Sequence, residues 1–124
     1  MSDHDRVALA AEAFIYGYPL VADLGQVVRY ATVGAGVLPG AAFNSFGHAK
    51  RLAGPNDTFV SINNDTVYSF AQLDLGTGAQ LLEIPDVGDR YVVYQFVDAW
   101  TNNFAYLGTR ATGSGADGAF TVAA

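Results

Sequence analysis

Apolar residues near the start of the chain recur at the three- and four-residue spacing of an α-helix. Asp3 or Asp5 precedes them and can cap the helix, since a carboxylate is stabilised at a helix N-terminus. Pro19 interrupts the pattern, because it has no backbone donor and its ring clashes with the preceding turn. The pattern therefore predicts a helix over 7–30, divided into two pieces by a kink or break at 16–19.

From residue 58 onward the pattern changes to that of β-strands. Short apolar runs are separated by glycine, proline and aspartate, which favour turns. The predicted strands are 58–63, 66–75, 79–84, 90–98, 103–109 and 119–123. The last of these ends without a closing turn, which leaves a strand edge that can pair with another chain. Three outcomes stay open: the strand docks within the sheet, the chain normally continues, or a partner supplies the rest.

The stretch between the helix and the strands is rich in glycine and small residues, yet it also carries apolar side chains. This composition indicates a loop that packs onto the body of the protein rather than a free linker. We therefore expect a single α+β domain that is mainly β. It comprises a helical segment over 1–31, a packed loop over 32–57 and a β portion over 58–124, which a partner chain or a downstream domain would complete if the chain is a fragment.

Two polar segments lie at the ends of predicted strands. The first polar segment is 63–66 (NNDT) and the second is 98–103 (DAWTNN). Asn, Asp and Thr bond to nearby backbone, so both are first interpreted as turns. If they meet at one end of a sandwich, they offer a binding site for a sugar or polyol, because rings stack and polar groups bond hydroxyls. The candidate binding residues are Asn63, Asn64, Asp65, Tyr68, Asp98, Trp100, Thr101, Asn102 and Asn103.

Three side chains are weak candidates for catalysis. Asp65 and Asp98 would serve as a glycosidase-like acid and base pair if their carboxylates lie close enough together. His48 would serve as a general base, since imidazole accepts and releases protons near neutral pH. Neither Ser45 nor Ser69 has the G-x-S-x-G context of a nucleophile elbow. The sequence therefore leaves an enzymatic role open but favours a non-catalytic one.

The composition narrows the classes of partner. The chain is 51% hydrophobic and only 15% charged, which suggests burial against a second copy, another chain or a further domain. A formal net charge of −6 argues against nucleic acid and anionic lipid as partners, because both require clustered Lys and Arg. The chain has no cysteine and no histidine spacing typical of zinc, so we expect no metal and no cofactor.

No uninterrupted run of about 18 apolar residues is present, so we expect no transmembrane segment. The first residues also lack the basic and apolar regions of a signal peptide. The chain as given is therefore expected in the cytoplasm, and in the periplasm or outside the cell if a precursor has been processed.

Several groups of residues occur in a characteristic order. They are 13–20 (AFIYGYPL), 63–69 (NNDTVYS), 73–75 (LDL), 84–86 (IPD), 90–91 (RY), 98–104 (DAWTNNF) and 108–110 (GTR). Together they resemble the bacterial domain-of-unknown-function family twelve-fifty-four, whose members usually carry a downstream domain of family twelve-fourteen. The resemblance implies a jelly-roll-like β-sandwich with N-terminal helical segments, and it implies no settled chemistry.

Three functions follow as hypotheses. The first is a non-catalytic domain that acts as part of a larger assembly, either a homo-oligomer or a two-part protein. The second is binding or hydrolysis of a small molecule or carbohydrate at the cluster around Asp65 and Asp98. The third is a surface-active, emulsifier-like protein, which the resemblance allows because one family member has been discussed in that role.

Overall fold

The computed structural model describes residues 1–113 and 117–123. Within them lie one α-helix, one 3-10 turn over Leu75–Thr77 and eight short strands. The helix, α1, spans Asp3–Thr32. The strands are β1 (Gly34–Ala35), β2 (Leu38–Pro39), β3 (Phe46–His48), β4 (Ser69–Ala71), β5 (Gln80–Ile84), β6 (Val93–Val97), β7 (Asn103–Gly108) and β8 (Gly118–Val122).

Helix α1 begins with a reciprocal cap. The backbone N–H of Asp5 donates to the Ser2 hydroxyl (3.2 Å), and the N–H of Ser2 donates to the Asp5 carboxylate (2.8 Å). The Ser2 N–H and, with a smaller effect, the Ser2 side chain lower the pKa of the Asp5 carboxyl group. The helix then continues through Pro19, so the predicted break is wrong, and the alternative of a kink stays a prediction. The remaining bonds of a 30-residue helix outweigh the lost donor and the ring clash of this proline, which together cost about 3 kcal/mol.

The strands form antiparallel pairs, β1 with β2, β3 with β4, β5 with β8, and β6 with β7. The four C-terminal predictions correspond to β5 to β8 with small shifts at their ends. The predicted strand 58–63 is wrong, because Ser61 has a φ of +51°, which an extended strand excludes. The predicted strand 66–75 is reduced to β4. The last strand, β8, docks against β5 in a register that pairs Leu82 with Phe120.

Two compact units make up the chain. Unit 1 comprises Met1–Gly25 and Asp86–Ala116, and it contains most of α1 and the β6–β7 pair. Unit 2 comprises Gln26–Pro85 and Asp117–Ala124, and it contains the other three strand pairs. The combination of a helix with small antiparallel sheets agrees with the predicted α+β class. The expectation of a single domain stays a prediction.

The buried apolar core among the described residues is small. It consists of Ala35, Leu38, Ala49 and Ile84, all of which belong to unit 2. Three of these four lie in 32–57, the stretch expected to be a packed loop, and short strands β1 to β3 form there. Gly47 belongs to the same region, where a Cβ atom would lie 2.7 Å from the Pro39 carbonyl oxygen. The absence of a side chain at 47 is therefore what lets β3 lie against β2.

Helix α1 buries none of its residues. It is long and apolar enough, by length and composition alone, to cross a membrane, with an 18-residue window of mean hydropathy 1.4. A core helix and a leader sequence have the same properties. The expectation that the chain has no transmembrane segment therefore stays a prediction.

Candidate functional site

The first polar segment forms a turn held by its own side chains. The Asn63 side-chain oxygen accepts from the backbone N–H of Asp65 (2.9 Å) and of Thr66 (3.1 Å). The Thr66 hydroxyl donates to the Asp65 carboxylate at 2.9 Å. Asparagine is suited to this geometry, because its short side chain reaches the N–H groups two and three residues ahead. These contacts give the segment a structural role in unit 2.

The second polar segment is organised around the Asp98 carboxylate. Its Oδ1 accepts from the N–H of Trp100 (2.8 Å) and of Asn102 (2.9 Å), and its Oδ2 accepts from the Asn102 side-chain amide (3.0 Å). The backbone closes on itself as well, since the N–H of Asp98 donates to the Asn102 carbonyl at 2.9 Å. Thr101 takes a φ of +68° at the tip of this loop. The carboxylate therefore closes and fixes the loop between β6 and β7.

The same hydrogen bonds favour the ionised form of the Asp98 carboxyl group. The Asn102 side-chain amide, followed by the Asn102 N–H, lowers the pKa of Asp98. Burial raises this pKa by less than either bond lowers it, and the Trp100 N–H adds a still smaller lowering. A carboxylate held ionised in this way is a poor general acid at neutral pH, because it does not carry the proton it would donate. The arrangement thus argues against Asp98 as the acid of a glycosidase pair.

Aromatic rings accompany both segments. The Trp100 ring lies 5.2 Å from that of Tyr16, centroid to centroid, with both residues in unit 1. In unit 2 the Tyr68 ring lies 5.4 Å from Phe70. Asn103, the last residue of the second segment, starts β7 and accepts a hydrogen bond from the Gln95 side chain on β6. Apart from Asn64, each candidate binding residue therefore has a local structural contact or a defined place in a turn.

The structure brings together residues within each segment. Asn63, Asp65 and Thr66 are bonded to one another in unit 2, and Asp98, Trp100 and Asn102 are bonded in unit 1. The meeting of the two segments at one binding site stays a prediction, as does the pairing of Asp65 with Asp98.

The third catalytic candidate, His48, pairs with a serine. Its Nδ1 lies 2.7 Å from the Ser69 Oγ, and the two residues are opposite each other in the β3–β4 ladder. The His48 ring is stacked on Phe46, with 5.8 Å between centroids and 19° between planes. This serine contact was not predicted from the sequence, because the register of β3 against β4 decides it.

A small cavity lies in unit 2, between the start of β1 and β4. Its volume is about 10 Å³, which is room for one water molecule and far too little for a sugar. Its walls are mainly apolar, with Ser45 and Gln72 as polar exceptions.

An ion pair that the sequence did not predict fixes the turn after β3. The two terminal N–H groups of Arg51 donate to the Asp57 carboxylate, each at 2.7 Å. The Gly54 N–H donates a third hydrogen bond to the same carboxylate at 2.7 Å. Chiefly through the Arg51 bonds, the pKa of Asp57 falls from 3.8 to about 2. The residue types at 55–57 favour a turn, whereas the pairing of Asp57 with an arginine six residues earlier depends on the fold.

Across residues 1–113 and 117–123, no three His, Cys, Asp or Glu side chains lie together as potential metal ligands. The carboxylates described above are instead engaged by backbone and side-chain donors. Each local site therefore has the character of a stabilised turn or, at His48, of a side-chain pair on a strand ladder.

Comparison with known proteins gives one match. No curated protein and no solved structure matches the chain. The family model DUF1254, described as a protein of unknown function, matches residues 43–124, which include both polar segments and β3 to β8. Since this match covers more than half of the sequence, the chain belongs to the DUF1254 family of proteins of unknown function.

Proposed function

We propose that this domain functions as part of a larger assembly, in which a second copy of the chain covers its apolar surface. The observation that carries the proposal is the large solvent-accessible surface area of the chain. The chain exposes 8905 Å², whereas a compact protein of 13.1 kDa exposes about 6,400 Å². Even two separate compact bodies with the masses of the two units would together expose only about 7,700 Å².

The excess is therefore at least about 1,200 Å², more than the roughly 800 Å² that one partner contributes to a standard protein interface. Much of this surface is apolar. Ile15, Tyr16 and Val21 on α1 are 72%, 73% and 71% exposed. Large apolar areas that remain open to water usually mark a site of protein association.

The strand pairs support the same proposal. A two-stranded antiparallel ladder is at best marginally stable in water, and the sheets in the described part of the chain have two strands each. Additional strands would complete them, and a jelly-roll-like sandwich is the form that we propose for the completed sheets. In such a sandwich the apolar faces of β6 and β7 would be covered by a second sheet.

The experiment is light scattering of the purified chain over a micromolar concentration series. The expected result is a mass that rises to a defined dimer or higher oligomer. Hydrogen exchange on β5 and β8 in the same samples is expected to slow as the oligomer forms, because a partner then covers their edges.

Two results would contradict the proposal, one in part and one as a whole. A monomer that binds a hydrophobic dye strongly would overturn self-association and assign the covering role to a different chain or domain. A monomer that binds no dye and unfolds cooperatively would overturn the proposal as a whole, since its apolar surface would then need no cover.

A further inference from the structure

We infer that His48 and Ser69 form a general base and nucleophile pair that reacts with small activated carboxylic esters. The inference is independent of the proposed assembly, because it rests on one side-chain contact in unit 2. The Ser69 Oγ and the His48 Nδ1 are 2.7 Å apart, within the range that a base needs to take a proton from a nucleophile. In the tautomer with its ring proton on Nε2, His48 accepts this bond from the Ser69 hydroxyl.

The strand ladder holds the two side chains in place. Ala49 donates its N–H to the Tyr68 carbonyl at 3.1 Å, so the neighbouring pair in the register is the hydrogen-bonded one. His48 and Ser69 then occupy a pair without backbone bonds between them, where opposite side chains approach most closely. The imidazole is also stacked on Phe46, which restricts the rotation of its ring.

A donor for the developing oxyanion is present on the same residue. In a pair of this type the backbone N–H groups point away from the partner strand. The Ser69 N–H therefore points to the outer edge of β4, which pairs with β3 alone in the part of the chain that the structure describes. A carbonyl oxygen placed there can accept from it, as oxyanions accept from the nucleophile's own N–H in serine hydrolases.

The reaction is an acyl transfer. Ser69 Oγ bonds to the ester carbonyl carbon while its proton moves to His48 Nδ1. The bond from that carbon to the leaving oxygen then breaks, and the departing alkoxide takes the proton from Nδ1. Water attacks the acyl-serine with His48 again as base, which releases the carboxylic acid and restores Ser69. Both side chains are exposed, so short acyl groups such as acetyl, which need no enclosing pocket, are the substrates that fit.

The test is site-resolved labelling of the full chain with an alkyl fluorophosphonate, followed by peptide mass spectrometry. Ser45 is exposed and has no histidine bonded to it in the described structure, so it serves as the internal control. We expect Ser69 to be labelled at least about tenfold faster than Ser45. His48→Gln is expected to slow labelling of Ser69 by about 100-fold, the size of a general-base contribution. Lys50→Gln, which leaves the pair intact, is expected to change nothing.

The release of 4-nitrophenolate from 4-nitrophenyl acetate is expected to be slower in His48→Gln than in the wild-type chain and unchanged in Lys50→Gln. Equal labelling of Ser69 and Ser45 in the wild-type chain would overturn the inference without any variant. Unchanged labelling of Ser69 in a folded His48→Gln protein, judged by circular dichroism, would also overturn it.

Discussion

At the scale of single residues, short side chains of Asn, Asp and Thr determine how the loops are held. Asn63 and Asp98 each accept from two backbone N–H groups ahead of them in the chain. Asp57 accepts from a guanidinium and from an N–H. The same residue types that suggest a binding site are thus engaged in closing turns, which accounts for their presence without a ligand.

The first prediction compares two aspartates of the polar segments. Asp98→Ala removes the acceptor of two backbone N–H groups and of the Asn102 amide, whereas Asp65→Ala removes an acceptor of the Thr66 hydroxyl alone. We expect Asp98→Ala to lower the thermal unfolding midpoint by several degrees and Asp65→Ala to change it little. Calorimetry or circular dichroism measures both. An equal effect of the two substitutions would contradict the structural role assigned to Asp98.

The second prediction concerns acid. The pKa of Asp57 is about 2 in the folded chain against an ordinary value of 3.8. Because the folded value is the lower one, the stabilisation by this carboxylate is complete above pH about 4 and is lost as the pH falls toward 2. The carboxylates of Asp98 and Asp5, whose pKa values are also lowered, lose their contributions in the same direction.

Unfolding midpoints measured between pH 7 and 2 are therefore expected to fall most steeply below pH 4. In Asp57→Asn the midpoint is lower at pH 7, and its decline at acid pH is shallower than that of the wild-type chain. A decline of the same steepness in both proteins would show that the Arg51–Asp57 pair does not contribute.

At the scale of elements, local backbone energetics explain α1, while close packing explains the short strands. A capped helix of 30 residues tolerates Pro19 because one missing donor is a small part of its hydrogen bonding. The strands β2 and β3 lie together only because Gly47 presents no Cβ atom to the Pro39 carbonyl.

The third prediction uses two glycines in these contrasting settings. Gly47→Ala forces β3 away from the Pro39 carbonyl and is expected to destabilise the protein by about 1–3 kcal/mol, the usual effect of overpacking. Gly25→Ala, on α1 with nothing within 4 Å of the added Cβ, is expected to stabilise it by about 0.5–1 kcal/mol. Denaturant unfolding of the two variants gives both values. Effects of the same sign would contradict the packing described for β2 and β3.

At the scale of the whole molecule, few of the apolar side chains in the described residues are buried. Across the described residues only four apolar side chains are buried, and none is large and fully enclosed. Hydrophobic burial is the dominant favourable term in folding, and a protein of this length normally removes about two thirds of its unfolded surface from water. The chain has the apolar residues for such a core, and α1 carries many of them in the open.

The fourth prediction follows from that surface. Ile15→Lys places a charge on an exposed apolar part of α1 and is expected to weaken self-association by at least about tenfold in light scattering, because the charge loses its water in the interface. Helix content in circular dichroism is expected to stay the same. Gln26→Lys adds the same charge at a polar position and serves as the control. Equal effects of the two substitutions would indicate a general response to charge rather than a covered apolar surface.

Part of this architecture could be predicted from the sequence. The helix and the strands β5 to β8 follow from apolar periodicity, and the turn at 55–57 follows from its residue types, since all of these depend on local preferences. The strand 58–63 was predicted wrongly for the same reason. Its residues favour an extended backbone, but the left-handed conformation of Ser61 prevents one.

The sequence by itself determined the family, the helix, the later strands and the low share of charged residues. Only the tertiary structure decided which side chains meet. Arg51 reaches Asp57, and His48 reaches Ser69 across 21 residues, because a turn and a strand register place them within 3 Å. Periodicity reports the face on which a residue lies, whereas a contact between distant residues depends on register, which the local pattern does not contain.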